Sequence, residues 1–242
     1  MAGSYKTEAV VLRSIRYGEA DRVLHLFSAG RGRVGAIAKG ARRPRSRFGG
    51  RLEPFFRLEL VLYEGRGDLA TVTAAHTVAA YPDLRASGSG LGAAARACDA
   101  VLRLCDASEA NPAAYNLLCR YLALLDAAGR DGGGGAASGL ATALAFRLKL
   151  ALAAGFAPEL GSCARCGEGD ALAGFSGAAG GVVCASCGGF DLSGEAHRFM
   201  IEALGRPLAE APAASDRALR QAERAIAETL EHHAHVRLRA AA

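Results

Sequence analysis

The chain has 242 residues, 51% of them hydrophobic and 22% charged, with a net charge of +5. That is enough apolar material for a real core, which excludes a disordered or low-complexity protein. The charge is uneven: residues 1–80 carry 14 basic and 7 acidic side chains, residues 81–242 carry 15 and 17. A polyanion is therefore expected at the N-terminal third and not over the whole surface.

Lys6, Glu8, Arg13, Arg16 and Glu19 leave no apolar segment for a secretory signal near the N-terminus. Five short alternating runs follow one another, Thr7–Ser14, Asp21–Phe27, Arg33–Lys39, Phe55–Tyr63 and Leu69–Val78. Turn residues separate them at Tyr17-Gly18-Glu19, Ala29-Gly30-Arg31-Gly32, Gly49-Gly50 and Gly65-Arg66-Gly67-Asp68. Five strands in so short a stretch predict a small closed barrel of the OB-fold type over residues 1–80.

The connection after the third strand is the most unusual stretch. Residues 31–51 hold eight cations (Arg31, Arg33, Lys39, Arg42, Arg43, Arg45, Arg47 and Arg51) and no carboxylate. Like charge so concentrated is matched by a polyanion, so all eight are candidate phosphate contacts. Phe48, set between Arg47 and Gly49 in a loop, is a candidate platform for base stacking, with Tyr17, Phe55 and Phe56 as aromatic company. Gly30-Arg-Gly-Arg-Val-Gly35 matches a dinucleotide fingerprint in letters only, because it opens a strand and not a helix.

Beyond Tyr81-Pro82 the spacing becomes helical, at Leu91–Asp106, Pro112–Ala128, Leu140–Phe156, Ser193–Leu204 and Ser215–Arg237. Asn111-Pro112 marks a helix start, and the glycine-rich stretch 131–139 reads as a surface loop. Leu140–Phe156 is the most apolar helix, but Arg147 and Lys149 suit it to a core and not to a bilayer. The fold expected is α+β: an OB barrel, then a helical domain over residues 81–242 with a zinc module inserted at about 160–190. Without signal or span, a cytoplasmic, nucleoid-associated place with reduced thiols is expected.

Cys163-Ala-Arg-Cys166 and Cys184-Ala-Ser-Cys187 stand seventeen residues apart, the spacing of a four-thiolate zinc site. Gly167 and Gly188 follow the second cysteine of each pair, where a tight knuckle turn needs them. With four protein ligands such a zinc is structural, one per chain, and has no open position for catalysis. Cys98, Cys105 and Cys119 fall on helices and read as core residues. His232, His233 and His235 read as a solvated helix end. No phosphate loop, nucleophile triad or paired-carboxylate metal motif occurs, so no catalytic residue is assigned and no enzyme is expected.

Taken in order, several stretches resemble the DNA repair protein RecO family. They are Tyr5-Lys-Thr-Glu-Ala-Val-Val-Leu-Arg13, Arg16-Tyr-Gly-Glu-Ala-Asp-Arg22, Gly35-Ala-Ile-Ala-Lys-Gly-Ala-Arg-Arg-Pro-Arg-Ser-Arg-Phe48, Leu52-Glu-Pro-Phe55, Gly155-Phe-Ala-Pro-Glu-Leu160 and the four cysteines. The resemblance covers nearly the whole chain. It implies a recombination mediator of the RecFOR pathway that binds single- and double-stranded DNA and anneals complementary strands. It further implies contact with RecR and with single-strand binding protein, and, indirectly, with RecF and RecA, which it helps to load. DNA binding carries over onto Lys39, Arg42, Arg43, Arg45 and Arg47. A different reading of the same residues is a zinc-dependent adaptor whose basic loop meets a protein or RNA.

Overall fold

The computed structural model describes residues 3–107, 109–130 and 139–241. The glycine stretch read as a loop lies, apart from Gly139, outside the described residues. Five strands, β1 (Gly3–Tyr17), β2 (Asp21–Ser28), β3 (Gly32–Ala38), β4 (Arg57–Glu64) and β5 (Ala70–Ala79), form a ring in the order β1-β2-β3-β5-β4, with β4 returning to β1. This is the expected OB-type barrel.

β1 does most to close it. Its first half pairs with β4 (Gly3 opposite Glu64 through Val10 opposite Arg57), and its second half pairs with β2 from Ala9 to Tyr17. The register shifts between Val11 and Arg13, a bulge that bends the strand from one partner to the next. The run Ala9-Val10-Val11-Leu12 is buried on both faces, which explains its unbroken apolar text. Ala9 and Val11 point into the barrel with Leu24, Leu26, Leu58, Leu60 and Leu62, whereas Val10 and Leu12 join the core of the helical domain.

That domain comprises α1 (Pro82–Ala86), α2 (Gly88–Leu104), α3 (Pro112–Arg130), α4 (Leu140–Ala153), α5 (Gly194–Gly205) and α6 (Asp216–His233). Asn111 Oδ1 accepts from Ala114 N at 2.9 Å, and Ser193 and Ser215 accept from Ala196 N and Ala218 N, so the starts rest on side-chain caps. α4 is buried nearly all round. Arg147 donates to the Arg239 carbonyl, with Glu223 at 3.6 Å, and Lys149 Nζ donates to Leu204 O at 2.8 Å. Cys98, Cys105 and Cys119 are buried. α6 ends at His233, four residues before its expected end. His235 turns to φ 55°, and the chain folds back so that Ala241 N reaches Glu223 Oε1 at 2.6 Å. A three-stranded sheet, β7-β6-β8, with β6 (Leu172–Ser176), β7 (Gly181–Cys184) and β8 (Phe190–Asp191), sits between α4 and α5 in sequence. No helix among the described residues is long and apolar enough to cross a membrane.

Among the polar junctions between barrel and helices, two involve the first and third strands, and Arg85 Nη1 of α1 on Pro54 O at 2.7 Å makes another. Gly32, at φ 61°, comes so close to the α2–α3 connection that a Cβ would lie 2.0 Å from Glu109 O. Beside it, Arg33 Nη1 donates to Leu102 O at 2.8 Å, a cation on the C-terminal carbonyls of α2. At the second junction Glu8 Oε1 accepts from Arg57 Nε at 2.6 Å and from Tyr115 Oη of α3 at 2.7 Å. Desolvation acts to raise the Glu8 pKa, but the hydrogen bonds from Arg57 and Tyr115 outweigh it and hold the carboxyl below its ordinary 4.5. Because the folded value is the lower one, this junction stabilises the protein above about pH 4.5 and that contribution is lost as the pH falls through the folded value. Glu8→Gln is expected to cost about 1 kcal/mol at pH 7, since Glu8 and Arg57 are both about one-third exposed. The deficit should shrink progressively in chemical melts carried downward from pH 4.5; a deficit independent of pH would show that Glu8 acts by shape alone.

Candidate nucleic-acid interface and metal centre

The connection from Lys39 to Phe56 is a chain of tight turns. Arg43 N donates to Gly40 O at 3.1 Å, Ser46 N to Arg43 O at 3.0 Å, Gly49 N to Ser46 O at 3.3 Å and Arg51 N to Phe48 O at 3.3 Å. It is moored to the β1–β2 turn: Gly40 N reaches Asp21 Oδ1 at 2.7 Å and Arg42 N reaches Ala20 O at 2.8 Å. Gly40 and Gly49 supply the positive φ that two of these turns require.

The turns sort the side chains. Ala41, Phe48 and Leu52 point inward and join the barrel core. Lys39, Arg42, Arg43, Arg45, Arg47 and Arg51 are exposed. Arg42 Nη1 meets Gly18 O, and Arg51 Nη1 meets the carbonyls of Arg47 and Phe48. Among the described residues none of the six forms an ion pair with a carboxylate, and the arm's charge stays unneutralised by the protein.

Phe48 is a correction. Read as a free stacking platform, it is 1% exposed and packs in the barrel core. A glycine-rich, polar segment gave no sign that its one aromatic was an anchor, yet without an apolar anchor such a loop could not be ordered at all. Arg47 lies over its outer side, 4.9 Å from the ring centroid. Phe55 is also buried, and Phe56 packs under Arg85. The exposed aromatic beside the arm is Tyr17, 58% exposed and next to the Gly18 carbonyl that Arg42 holds. Phe48→Ala is expected to destabilise the barrel by about 3 kcal/mol. It should also release the arm, which a protease cutting after arginine would report as rapid cleavage in 42–51. Unchanged proteolysis would mean that the turns hold without their anchor.

Arg31 and Arg33 lie apart from the arm. They stand at the start of β3 and the arm begins at its end, roughly 20 Å away along a seven-residue strand. Arg31 Nη1 pairs with Glu64 at 2.8 Å and its guanidinium lies 3.8 Å from the Tyr5 ring centroid. Arg33 is spent on docking the helical domain. Adjacency in sequence had merged two ends of the barrel into one patch.

The four cysteines converge as the spacing predicts. The Sγ atoms of Cys163, Cys166, Cys184 and Cys187 all lie within 4.8 Å of one another, and those of Cys166 and Cys184 are 3.7 Å apart. Thiolates on a tetrahedron around a metal at ~2.3 Å lie roughly 3.8 Å apart, so the donor set and its spacing fit a metal ion. Gly167 (φ 79°) and Gly188 (φ 71°) make the knuckle turns. Gly167 N closes the first onto Cys163 O at 2.8 Å, and Arg165 Nη1 ties the two knuckles through Cys187 O at 3.1 Å. The Cys184 amide leads the groups that hold the Cys163 thiol low, while the crowding Cys166 thiol leads those that push Cys187 up. Four thiols this close cannot all ionise alone, and a bound cation removes that conflict. The module is pinned to the helices by His197 Nε2 on Leu160 O at 2.7 Å and His233 Nε2 on Gly177 O at 2.8 Å. His233 thus has a structural partner that its place at a helix end did not reveal.

Comparison with known proteins agrees over the whole length. Residues 1–81 match the model described as "Recombination protein O N terminal", and residues 85–241 match "Recombination protein O C terminal". A relative from Rubrobacter xylanophilus, named DNA repair protein RecO, is 40% identical over 240 residues, covering 94% of this chain and 92% of its own. Relatives of the same name from Bifidobacterium animalis subsp. lactis (40% identical, 74% of this chain, 72% of its own) and Anaeromyxobacter dehalogenans (37%, 75% and 70%) match most of it. The order of the two matched regions follows the barrel and the helical domain, and the chain belongs to the recombination protein O (RecO) family.

Proposed function

We propose that the protein is a non-enzymatic mediator of recombination that binds single- and double-stranded DNA through the basic arm and anneals complementary strands. The reading starts from family membership, which supports a role in DNA repair and recombination. The observation that carries the finer claim is the arm itself, with six exposed cations moored on short turns and no carboxylate partner among the described residues. Cations on a fixed scaffold neutralise two phosphate backbones at once and lower the repulsion that slows strand pairing, without nucleotide hydrolysis. The phosphate contacts assigned are Lys39, Arg42, Arg43, Arg45, Arg47 and Arg51, and the stacking role passes from Phe48 to Tyr17. The metal assigned to the four cysteines is Zn²⁺, one per chain. It fixes the three-stranded module, and four protein ligands leave it no position for a reacting group. RecR and single-strand binding protein are the partners, and together with RecR the protein helps RecA onto coated strands.

A salt titration of strand annealing tests the reading. The rate should fall steeply from about 0.05 to 0.2 M salt, because counterion release drives the binding. Annealing should persist on strands coated with single-strand binding protein. No annealing on bare strands at low salt would sink the proposal.

A further inference from the structure

A cleft of about 660 Å³ lies between the barrel and the helical domain. Four arginines line it, from three separate parts of the chain: Arg13 on β1, Arg96 and Arg103 on α2, and Arg239 in the tail that folds back after α6. Arg96 and Arg103 are seven residues apart, so they share a helix face at about 10 Å spacing. The one carboxylate in the lining, Asp99, is taken by Arg103 at 2.9 Å. Among the described residues Arg13, Arg96 and Arg239 have no carboxylate partner, and the Nε of Arg96 is buried without a hydrogen bond. Gly92 makes room for that side chain: a Cβ there would come within 3.2 Å of Arg96 Nη1.

Three arginines without a carboxylate partner around one recess give it a positive potential, which low-dielectric walls focus. An anion between them is favoured, and the planar forks fit phosphate and carboxylate oxygens alike; the basic arm beside the cleft favours a phosphate backbone as the source. The cleft begins where the arm ends, at Pro54 and Phe55. Between the two, the segment Leu52–Phe56 has no cation of its own and contributes Glu53, which pairs with Arg22 at 2.6 Å, while Arg85 reaches it from α1 with Nη1 on Pro54 O at 2.7 Å. The Arg85 guanidinium is held there by a backbone carbonyl and the Phe56 ring, so the stretch between the two basic surfaces presents the Glu53 carboxylate and no cation of its own.

We propose that this cleft is a second nucleic-acid site, which holds the sugar–phosphate backbone of one strand while the arm holds its complement. The assignment rests on the annealing function proposed above and gives it a geometry, with two strands retained by one chain and brought together across Leu52–Phe56.

The test uses the full chain with Arg13→Gln and Arg239→Gln combined, since both side chains are exposed and the fold should be unaffected. Two non-complementary oligonucleotides, labelled as donor and acceptor, report by energy transfer whether one chain holds both. The variant should bind a single oligonucleotide within about twofold of the unsubstituted protein, lose the energy transfer, and anneal on the order of tenfold more slowly, as expected for two lost phosphate contacts. Arg13→Lys with Arg239→Lys should restore much of the rate. Unchanged energy transfer and annealing in the glutamine variant would overturn the second site. A parallel loss of single-strand affinity with a shortened footprint would overturn it too, by making the cleft a continuation of the arm. So would intact annealing with lost binding of an acidic peptide. If the unsubstituted protein itself bound no DNA, the annealing function would fall, a pattern distinct from all of these.

Discussion

Replacing Arg42, Arg43 and Arg45 together with alanine should weaken single-strand binding on the order of 50-fold at about 0.15 M salt. Each lost phosphate contact removes about 0.7 from the slope of log affinity against log salt, so the slope should become shallower by about 2. The loss should be equal for any base sequence, because phosphates carry no sequence information. Thermal stability should be unchanged. The three side chains are exposed, and Arg42 alone among them donates a recorded hydrogen bond, to Gly18 O. Glutamate at the same positions should weaken binding further, since the arm would then repel the backbone. Equilibrium binding at three salt concentrations measures both quantities. A triple alanine variant that binds and anneals normally in moderate salt would remove the arm from the mechanism.

Substituting Cys163 or Cys187 with serine should abolish metal retention and destabilise the C-terminal half by several kcal/mol. Structural zinc contributes about 10–16 kcal/mol to folding of isolated finger peptides. Here the cost should be lower, because His197, His233 and the Glu159 backbone hold the module independently of the ion. Elemental analysis should give one zinc per chain before substitution and none after it. Cys119→Ser, a buried cysteine remote in sequence from the cluster, should retain the metal. Freshly purified protein without metal would end the assignment, and a serine variant melting like the parent would make the ion dispensable for the fold.

The parts of this molecule written in local chemistry are legible in its sequence. Two Cys-x-x-Cys pairs, each followed by a glycine, fix a knuckle by covalent geometry alone, and Asn111-Pro112 fixes a helix start in the same way. Strand alternation gave the barrel because a closed sheet separates an inner from an outer face at every residue. The parts decided by tertiary contact were not legible. Phe48 belongs to the barrel core because the loop doubles back onto the barrel, and nothing in its neighbours specifies that return. Arg33 docks α2 across 69 residues of intervening sequence. Helical spacing over Ser215–Arg237 runs past the true end of α6, because His235 adopts a left-handed φ that the local sequence does not announce. α1, five residues long, is too short for periodicity to register; its first amides are held by Asp126 from α3.

The buried loop anchors have a consequence for what the arm can read. With Phe48 and Leu52 buried in the barrel core, neither offers a face to a nucleobase. A strand lying there would meet guanidinium groups along its outside and little else. Its letters would go unexamined, and the same surface would serve a break anywhere in a chromosome.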